Sequence, residues 1–305
     1  MAKSFPEVLL ELAIEDPRIC GVSCDCWGLL GPLAKRFPQR AVELGIAEQN
    51  LIGVSAGLAL QGKIPFAIGM NPFVTMRCFE QIRTDLGYGG RNVKVIGSGC
   101  SGLAFGGWGC THHAIEEMAL MRLIPTMTVI MPTDTYETEH AIRAAAAMEG
   151  PFYISLARDT SPIRESEEAR SFEVGKAVLL REGEVVTIIG VGPTVSDALS
   201  AGEILESKGI AARVLSMHTI KPIDQEAILR AADETSLIIT IEEHTVIGGL
   251  GGAVAEVLAD AGVGIPLKRL GLQDVFAAMS GSRQDLKNRF GITAEAIVKE
   301  VLARL

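Results

Sequence analysis

Two clusters of polar residues in the first half of the sequence have the spacing of a chemical site. Glu48 follows Gly45, where an apolar strand gives way to a predicted helix, and a helix dipole favours a carboxylate at its N-terminus. The loop over residues 97–110 is rich in glycine, which lets a backbone approach a ligand closely. His112 stands beside a predicted helix start, where an imidazole can move protons. These residues indicate acid–base chemistry, although a plain helix start and an ordinary loop capped by Thr111 fit the same pattern.

Two further motifs carry weaker chemical signals. The run Gly248–Gly252 is typical of a phosphate-binding turn, but it follows Glu242 instead of opening the first βαβ unit, so close helix packing explains it equally well. Cys20, Cys24 and Cys26 suggest a metal cluster, yet no second cysteine pair offers further ligands. Small buried thiols at a strand end are the simpler interpretation, and we expect no metal site in this chain.

The bulk composition limits the class of protein. The chain has 305 residues, of which 48% are hydrophobic and 21% charged, as in a packed globular protein. Its 33 glycines and only 5% aromatic residues favour the close helix–sheet packing of an α/β protein. A net charge of −9 without a basic stripe argues against nucleic acid as a partner. No stretch approaches the roughly 18 apolar residues of a membrane helix, so we expect a cytoplasmic protein without membrane contact.

The elements that must position these residues alternate between helix and strand. Strands separated by helices imply a mostly parallel sheet with helices on both faces. Gly53 and Gly57 on one predicted helix permit close packing there. The pattern predicts helices over 4–15, 48–60, 73–86, 113–123 and 135–148, and strands over 19–23, 65–69, 93–97, 126–131 and 152–156.

A charged, polar stretch interrupts this alternation and predicts a linker over residues 161–172. We therefore expect two α/β domains, over residues 1–160 and 173–305. The second unit has predicted strands over 185–191, 211–216, 237–242 and 266–270, helices over 194–207, 224–231 and 249–261, and a turn at 221–224.

Taken together, and in order over essentially the whole chain, these motifs resemble the C-terminal section of transketolase. The matching segments are GIAEQN at 45–50, CTHHAIEE at 110–117, MPTD at 131–134, PFYISLARD at 151–159, HTIKPID at 218–224 and EEHTVIGGLGGAVAE at 242–256. Deoxyxylulose-phosphate synthases and pyruvate dehydrogenase beta chains share parts of the pattern, while GIAEQN with HTIKPID favours a split transketolase. The resemblance implies a thiamine-diphosphate pyrimidine-binding fold followed by a transketolase C-terminal domain.

The resemblance also implies a mechanism. In this family a glutamate binds N1′ of the aminopyrimidine of thiamine diphosphate and promotes the imino tautomer, which deprotonates the thiazolium carbon. A two-carbon ketol unit then passes from a ketose to an aldose. Glu48 matches that glutamate. The other matches are Phe73, Met76 and Phe79 around the pyrimidine ring, Asp25 near the cofactor pocket, His112 on the reacting unit and Arg158 on the substrate phosphate.

Half of a cofactor site is missing from the sequence. The family holds the diphosphate and its divalent metal with a Gly-Asp-Gly segment and a later Asn, and this chain has no such segment. The resemblance therefore implies an N-terminal transketolase subunit that holds Mg²⁺, or another divalent metal, with the diphosphate. We expect a heterotetramer of two chains of each kind, with the active site between chains.

The departures from the family pattern concern the substrate pocket. Cys100 stands where relatives carry a histidine, Trp108 where they carry an acid, Leu29 where they carry a serine and Ala2 where they carry an arginine. Each unmet polar group in a buried site costs roughly 1–3 kcal/mol, so we expect a non-standard sugar phosphate as substrate. A catalytically silent or regulatory chain and a pyruvate-dehydrogenase-like beta chain are the alternatives.

Overall fold

The computed structural model describes residues 2–158 and 171–305. The first part contains the helices α1 (Phe5–Glu15), α2 (Trp27–Arg36), α3 (Glu48–Leu60), α4 (Phe79–Gln81), α5 (Glu117–Leu123) and α6 (Thr135–Ala147), with π-helical segments Phe73–Arg77 and Ile82–Tyr88 on either side of α4. Its strands are β1 (Ile19–Ser23), β2 (Ala41–Glu43), β3 (Ile64–Met70), β4 (Lys94–Ser98), β5 (Thr128–Ile130) and β6 (Phe152–Leu156).

The second part has the same alternation. Its strands are β7 (Val178–Arg181), β8 (Val186–Gly190), β9 (Ala212–Ser216), β10 (Thr219–Lys221), β11 (Ile238–Thr245) and β12 (Leu267–Leu272). Its helices are α7 (Val195–Glu206), α8 (Gln225–Glu234), α9 (Leu250–Asp260), α10 (Arg283–Phe290) and α11 (Ala294–Leu302). Residues 161–170 of the predicted linker lie outside the described residues, and the domain boundaries stay a prediction. Among the described helices, none has the length and apolar character to cross a membrane.

Two mostly parallel sheets form the centre of the molecule, which confirms the predicted α/β class. The first has the order β10-β5-β6-β4-β3-β1-β2 and the second the order β12-β11-β8-β9-β7. Strands β10 and β7 are the antiparallel members, each at a sheet edge. The central strands β3, β4 and β11 are almost entirely buried, as in a parallel sheet with helices on both faces.

Strand β10 joins the two halves of the chain. It follows β9 in sequence but pairs with β5 of the first sheet, with Thr219 opposite Ile130. The Lys221 ammonium adds hydrogen bonds of 3.0 and 2.6 Å to the carbonyls of Arg122 and Ile124. The turn predicted at 221–224 is therefore preceded by a short strand, and the second half closes an edge of the first sheet.

The predicted helix over 113–123 is wrong at its N-terminal end, because the helix begins at Glu117. The Ala114 amide instead donates to the Gly102 carbonyl at 2.9 Å, which ties this segment to the glycine-rich loop. Thr111 therefore caps no helix, and His112 lies in the loop rather than at a helix start. Elements that the pattern did not predict are α2, β7, β10, α10 and α11, of which α2 contains an internal proline and α10 is mostly polar.

Candidate cofactor and substrate site

A buried carboxylate marks the start of α3. Strand β2 ends at Glu43, Gly45 turns the chain with a φ of +65°, and Glu48 is the first helical residue. Glu48 is only 2% exposed, and one of its oxygens, Oε2, accepts a hydrogen bond of 2.6 Å from Arg77. The sequence placed Glu48 at a helix N-terminus correctly, but its partner Arg77 was not foreseen.

Glu43 joins the ends of β1 and β2, which are neighbours in the sheet. Its Oε1 accepts hydrogen bonds from the backbone amides of Asp25 at 2.9 Å and Gly45 at 3.0 Å, and its Oε2 accepts one from the Ser23 hydroxyl. Asp25 is exposed in the left-handed region, with a φ of +54°, which aspartate tolerates better than most residues. Glu43 therefore fixes the turns that carry both Asp25 and Glu48.

Four rings form what we call the aromatic cluster: Phe73, Phe105, Trp108 and His112. His112 meets Phe73 edge-on at 5.2 Å and Trp108 at 4.8 Å between ring centroids, while Phe105 meets Trp108 at 5.0 Å. Trp108 is 61% exposed, so its indole is available to a ligand or a partner chain. The cluster brings two predicted substrate residues against the predicted cofactor residue Phe73.

The three positions predicted around the pyrimidine ring lie on consecutive helical turns after β3. Phe73 is half-buried, Met76 is 40% exposed, and Phe79 packs against the hydrophobic core. The guanidinium of Arg77 lies 4.6 Å from the centre of the Phe73 ring. Phe73 and Met76 thus present an accessible apolar surface, and Arg77 links the Phe73 ring to the Glu48 carboxylate.

A cavity of about 550 Å³ opens beside the aromatic cluster. Its lining includes Asp25, Trp27, Phe105 and Arg158, so it brings together two of the predicted residues. The Arg158 guanidinium lies 5.0 Å from the centre of the Phe105 ring, which orients its charge. A cleft of this size, with one cation and one carboxylate on apolar walls, suits a small polar metabolite. Trp27 and Phe105 were not foreseen.

Cys100 differs from the other predicted substrate residues because it is fully buried. Its amide donates to Asn71 Oδ1 at 2.8 Å, and burial raises the pKa of its thiol to about 12. Beneath it lies the carboxyl of Glu117, whose pKa burial also raises. Glu117 accepts hydrogen bonds from Asn71, Ser101, Tyr153 and Ser155. Cys100 therefore belongs to the foundation of the glycine-rich loop, and this polar network was not foreseen.

The second half of the chain also contacts the glycine-rich loop. Glu243 accepts a hydrogen bond of 3.2 Å from the Leu103 amide and further hydrogen bonds from Nε and Nη2 of the Arg283 guanidinium. A Cβ at Gly102, where φ is +57°, would lie 2.7 Å from Glu243. Glycine is required at that position because the two halves approach so closely.

The run Gly248–Gly252 serves helix packing, not phosphate binding. Glu242 accepts hydrogen bonds from the amides of Leu250 at 2.7 Å and Gly251 at 2.9 Å, so its carboxyl group already occupies the first turn of α9. Burial raises the pKa of Glu242 to about 7. A Cβ at Gly249 would lie 2.0 Å from Glu242 Oε2, which explains the glycine.

The residues of the site fit the pyrimidine half of thiamine diphosphate. A buried carboxylate beside an open aromatic surface can meet a planar nitrogen heterocycle. Within residues 2–158 and 171–305, no three His, Cys, Asp or Glu side chains converge as metal ligands. Cys20 and Cys24 are buried and Cys26 is half-buried, as small packed residues.

Comparison with known proteins gives two family matches. The pyrimidine-binding domain of transketolase matches residues 1–163, and the transketolase C-terminal domain matches residues 175–297. The chain belongs to the transketolase family. It is 40% identical to one of the subunits of the apulose-4-phosphate transketolase of Phocaeicola vulgatus, over 98% of this chain and 96% of the relative. It is 42% identical to the 6-deoxy-6-sulfo-D-fructose transketolase subunit SqwH of Clostridium sp. MSTE9, over 97% and 91%.

Solved structures agree with this assignment. A split-gene transketolase, described as an inactive beta4 tetramer, superposes with a TM-score of 0.90 at 42% identity and covers 98% of this chain and 96% of that one. The transketolase of Campylobacter jejuni shares the fold at 22% identity with a TM-score of 0.80, and the chain covers 46% of it. The chain thus corresponds to the C-terminal subunit of a split transketolase, and the predicted fold and family are confirmed.

Proposed function

We propose that this transketolase chain binds the aminopyrimidine of thiamine diphosphate between Glu48 and Phe73 and acts only with an N-terminal partner. The observation that carries the proposal is the buried Glu48 carboxylate at the start of α3, beside the open surface of Phe73 and Met76. When bound, the cofactor supplies a carbon nucleophile that carries a two-carbon ketol unit from one sugar to another.

Each residue of the site has a distinct task in this proposal. Glu48 exchanges a proton with N1′ of the pyrimidine, while Phe73, Met76 and Phe79 hold the ring in place. His112 lies against Phe73 and 6.2 Å from the ring of Phe105, which lines the cavity, so it can act on a substrate bound beside the cofactor surface. There His112 can donate a hydrogen bond to the hydroxyl groups of the transferred unit.

The partner supplies the binding site for the diphosphate and for Mg²⁺ or another divalent metal. This division is supported by the absence of a Gly-Asp-Gly segment from the sequence and by the split relatives. The solved relative assembled from one kind of chain is described as inactive. We propose a heterotetramer with two chains of each kind, in which each active site lies between chains, in a cytoplasmic enzyme.

The substrate is a sugar that carries an anionic group far from the carbon–carbon bond that breaks. Arg158 in the cavity is a cation that can bind a terminal phosphate, and Asp25 can accept hydrogen bonds from hydroxyls. Two relatives are named for apulose 4-phosphate and a sulfofructose, neither of which is the ordinary pentose phosphate. Because Trp108 replaces an acid, we propose a donor other than xylulose 5-phosphate.

The test is to reconstitute the chain with a co-encoded subunit that carries Gly-Asp-Gly, and to assay ketol transfer from a panel of ketose donors. We expect transfer from a branched or 6-substituted ketose, with xylulose 5-phosphate at least about tenfold less efficient in kcat/KM. Trp108→Asp should reduce the difference in kcat/KM between the preferred ketose and xylulose 5-phosphate. Thiamine diphosphate binding without any ketol transfer would instead favour the silent chain, and efficient use of xylulose 5-phosphate would contradict the substrate proposal.

Cys100 is a poor position for a variant that changes substrate preference. Its side chain is fully buried above Glu117, so a histidine there would have to displace packed neighbours before it could reach a substrate. Phe105→Leu is the better companion variant, because Phe105 lines the cavity and carries the Arg158 guanidinium. We expect Phe105→Leu to raise KM for donors with a terminal anion more than it lowers kcat.

A further inference from the structure

Arg77 is the feature of the site that neither the motifs nor the proposed function accounts for. It lies on the π-helical segment Phe73–Arg77, on the next helical turn after Phe73. Its guanidinium donates to Glu48 Oε2 at 2.6 Å and lies over the Phe73 ring at 4.6 Å. One cation thus contacts both the carboxylate and the ring between which the pyrimidine is proposed to bind.

The surroundings of Glu48 make this cation important. Three thiols lie within electrostatic reach of the carboxylate, those of Cys24, Cys26 and Cys78. Burial raises the pKa of each thiol, to about 12 for Cys26 and Cys78, so all three are neutral near pH 7. A neutral thiol cannot balance the negative charge of the Glu48 carboxylate.

The neighbouring acids add further negative charge. The charges of Asp25 and Glu43, near the ends of β1 and β2, raise the pKa of the Cys24 thiol together with the charge of Glu48. Within the described residues, Arg77 is the cation that pairs with Glu48. The carboxylate is 3% exposed at its side chain while the arginine is 45% exposed, so the buried member depends on the accessible one. Removal of the partner of a buried charge costs more than loss of a surface pair.

We propose that Arg77 is a positioning residue that fixes Glu48 Oε2 and leaves Oε1 to meet N1′ of the pyrimidine. The inference rests on the proposed function for its purpose, but the contact between Arg77 and Glu48 itself belongs to the isolated chain. The stacking on Phe73 holds the guanidinium in one plane, so that Oε2 is engaged in a fixed direction.

The first experiment uses the isolated chain without cofactor. Glutamate labelled with ¹³C at the carboxyl carbon would be observed by NMR at pH 7, and the Glu48 signal assigned by its loss in Glu48→Gln. In Arg77→Gln we expect the chemical shift of the Glu48 carboxyl carbon to change, since Oε2 loses the guanidinium that donates to it. Arg77→Lys should lie between Arg77→Gln and the wild type. Arg83→Gln, which neutralises an exposed arginine on the next π-helical segment, should match the wild type.

The second experiment follows hydrogen–deuterium exchange at the thiazolium carbon in the reconstituted complex as a function of pH. We expect the exchange rate at saturating cofactor to fall about tenfold over the whole profile in Arg77→Gln and to return towards the wild-type rate in Arg77→Lys. An unchanged Glu48 signal in the isolated chain, or an equal change in Arg83→Gln, would overturn the inference. A changed signal with a wild-type complex that exchanges no hydrogen would overturn the proposed function instead.

Discussion

Two regions of the molecule place a glutamate carboxyl group at the N-terminus of a helix, and the two glutamates have different roles. Glu48 stands at the first turn of α3 after a glycine, and Glu242 binds the first turn of α9 across a glycine run. Both carboxylates are buried beside a helix N-terminus. Glu242 accepts two backbone amides and is fully enclosed, whereas Glu48 is held through one oxygen by an accessible arginine. We therefore regard Glu242, whose two oxygens both accept hydrogen bonds, as structural, and Glu48, which is held through one oxygen, as available for chemistry.

The comparison shows why a carboxylate near a helix start is a weak motif by itself. The number of hydrogen bonds that the helix gives to the carboxylate decides between the two roles. Gly249 lets Glu242 approach α9, since a Cβ there would lie 2.0 Å from its oxygen. Among residues 2–158 and 171–305, no atom lies within 4 Å of a Cβ built on Gly53 of α3, so glycine there serves no packing against the described part of the chain.

The largest expected effect is the loss of proton exchange in Glu48→Gln. An amide cannot exchange a proton with N1′ as a carboxylate does, so the hydrogen–deuterium exchange rate at the thiazolium carbon should fall at least about 100-fold, or ~2.7 kcal/mol of barrier. The measurement uses the reconstituted complex, with circular dichroism to verify folding. Glu242→Gln is the matched control and should leave the rate within about twofold. A similar loss in both variants would remove the distinction between the two carboxylates.

The second expected effect is on stability. Glu242→Ala leaves the amides of Leu250 and Gly251 without their buried acceptor, so the free energy of unfolding should fall by about 2–4 kcal/mol. Urea denaturation of the isolated chain measures it. If Glu242→Ala unfolds at the wild-type urea concentration, the carboxylate does not support α9.

The third effect is a pH dependence specific to Glu242. Burial raises its pKa to about 7, above the value of about 4.3 in an unfolded chain. Between these pH values the folded chain holds a proton that the unfolded chain releases, so the contribution of Glu242 to stability decreases as pH rises and is constant above that window. The free-energy difference between wild type and Glu242→Gln should therefore fall by up to about 1.4 kcal/mol per pH unit.

The difference between variants is the proper readout because His244 has the opposite slope. Burial lowers the pKa of His244 to about 4, so its contribution to stability increases as pH rises from about 4 to about 6.5. The raw stability curve of the wild type therefore combines two opposed effects. A difference that stays constant from pH 5 to pH 8 would show that Glu242 is ionised throughout in the folded chain.

The smallest effect concerns the two glycines. Gly53→Ala should raise the free energy of unfolding of the isolated chain by about 0.5–1 kcal/mol, because alanine loses less backbone entropy in a helix and has open space there. Gly249→Ala is the matched variant and should lower it, since its methyl group meets Glu242. Thermal unfolding of both variants provides the comparison. A destabilised Gly53→Ala would mean that α3 is packed more tightly than its exposure indicates.

The sequence was informative where chemistry and local structure coincide. The start of α3 at Glu48 and the alternation of strands and helices followed from glycine, helix-dipole and hydrophobic patterns. The aromatic cluster was partly foreseen, because Phe73, Trp108 and His112 belong to motifs, whereas Phe105 does not. The helix start at 113 was wrong because Ala114 bonds to the loop at Gly102, a contact that no local pattern encodes.

What the sequence could not provide are contacts between distant segments. Glu43, Arg77 and Glu117 act through partners brought together by neighbouring strand ends, and their own local sequences have no unusual feature. Strand β10 pairs with β5 across the two halves of the chain, and three residues are too few to show a periodic pattern. The roles of Asp25, Cys100 and Arg158 stay predictions that depend on substrate and partner.

The most direct test of the central claim is calorimetry of thiamine diphosphate binding with Mg²⁺ present. The isolated chain, the partner alone and the mixture of both would be titrated under one set of conditions. The account predicts micromolar binding by the mixture and no binding of that strength by the isolated chain, because the proposed function assigns the pyrimidine surface to this chain and the diphosphate and metal ligands to the partner. Micromolar affinity of the isolated chain would contradict it.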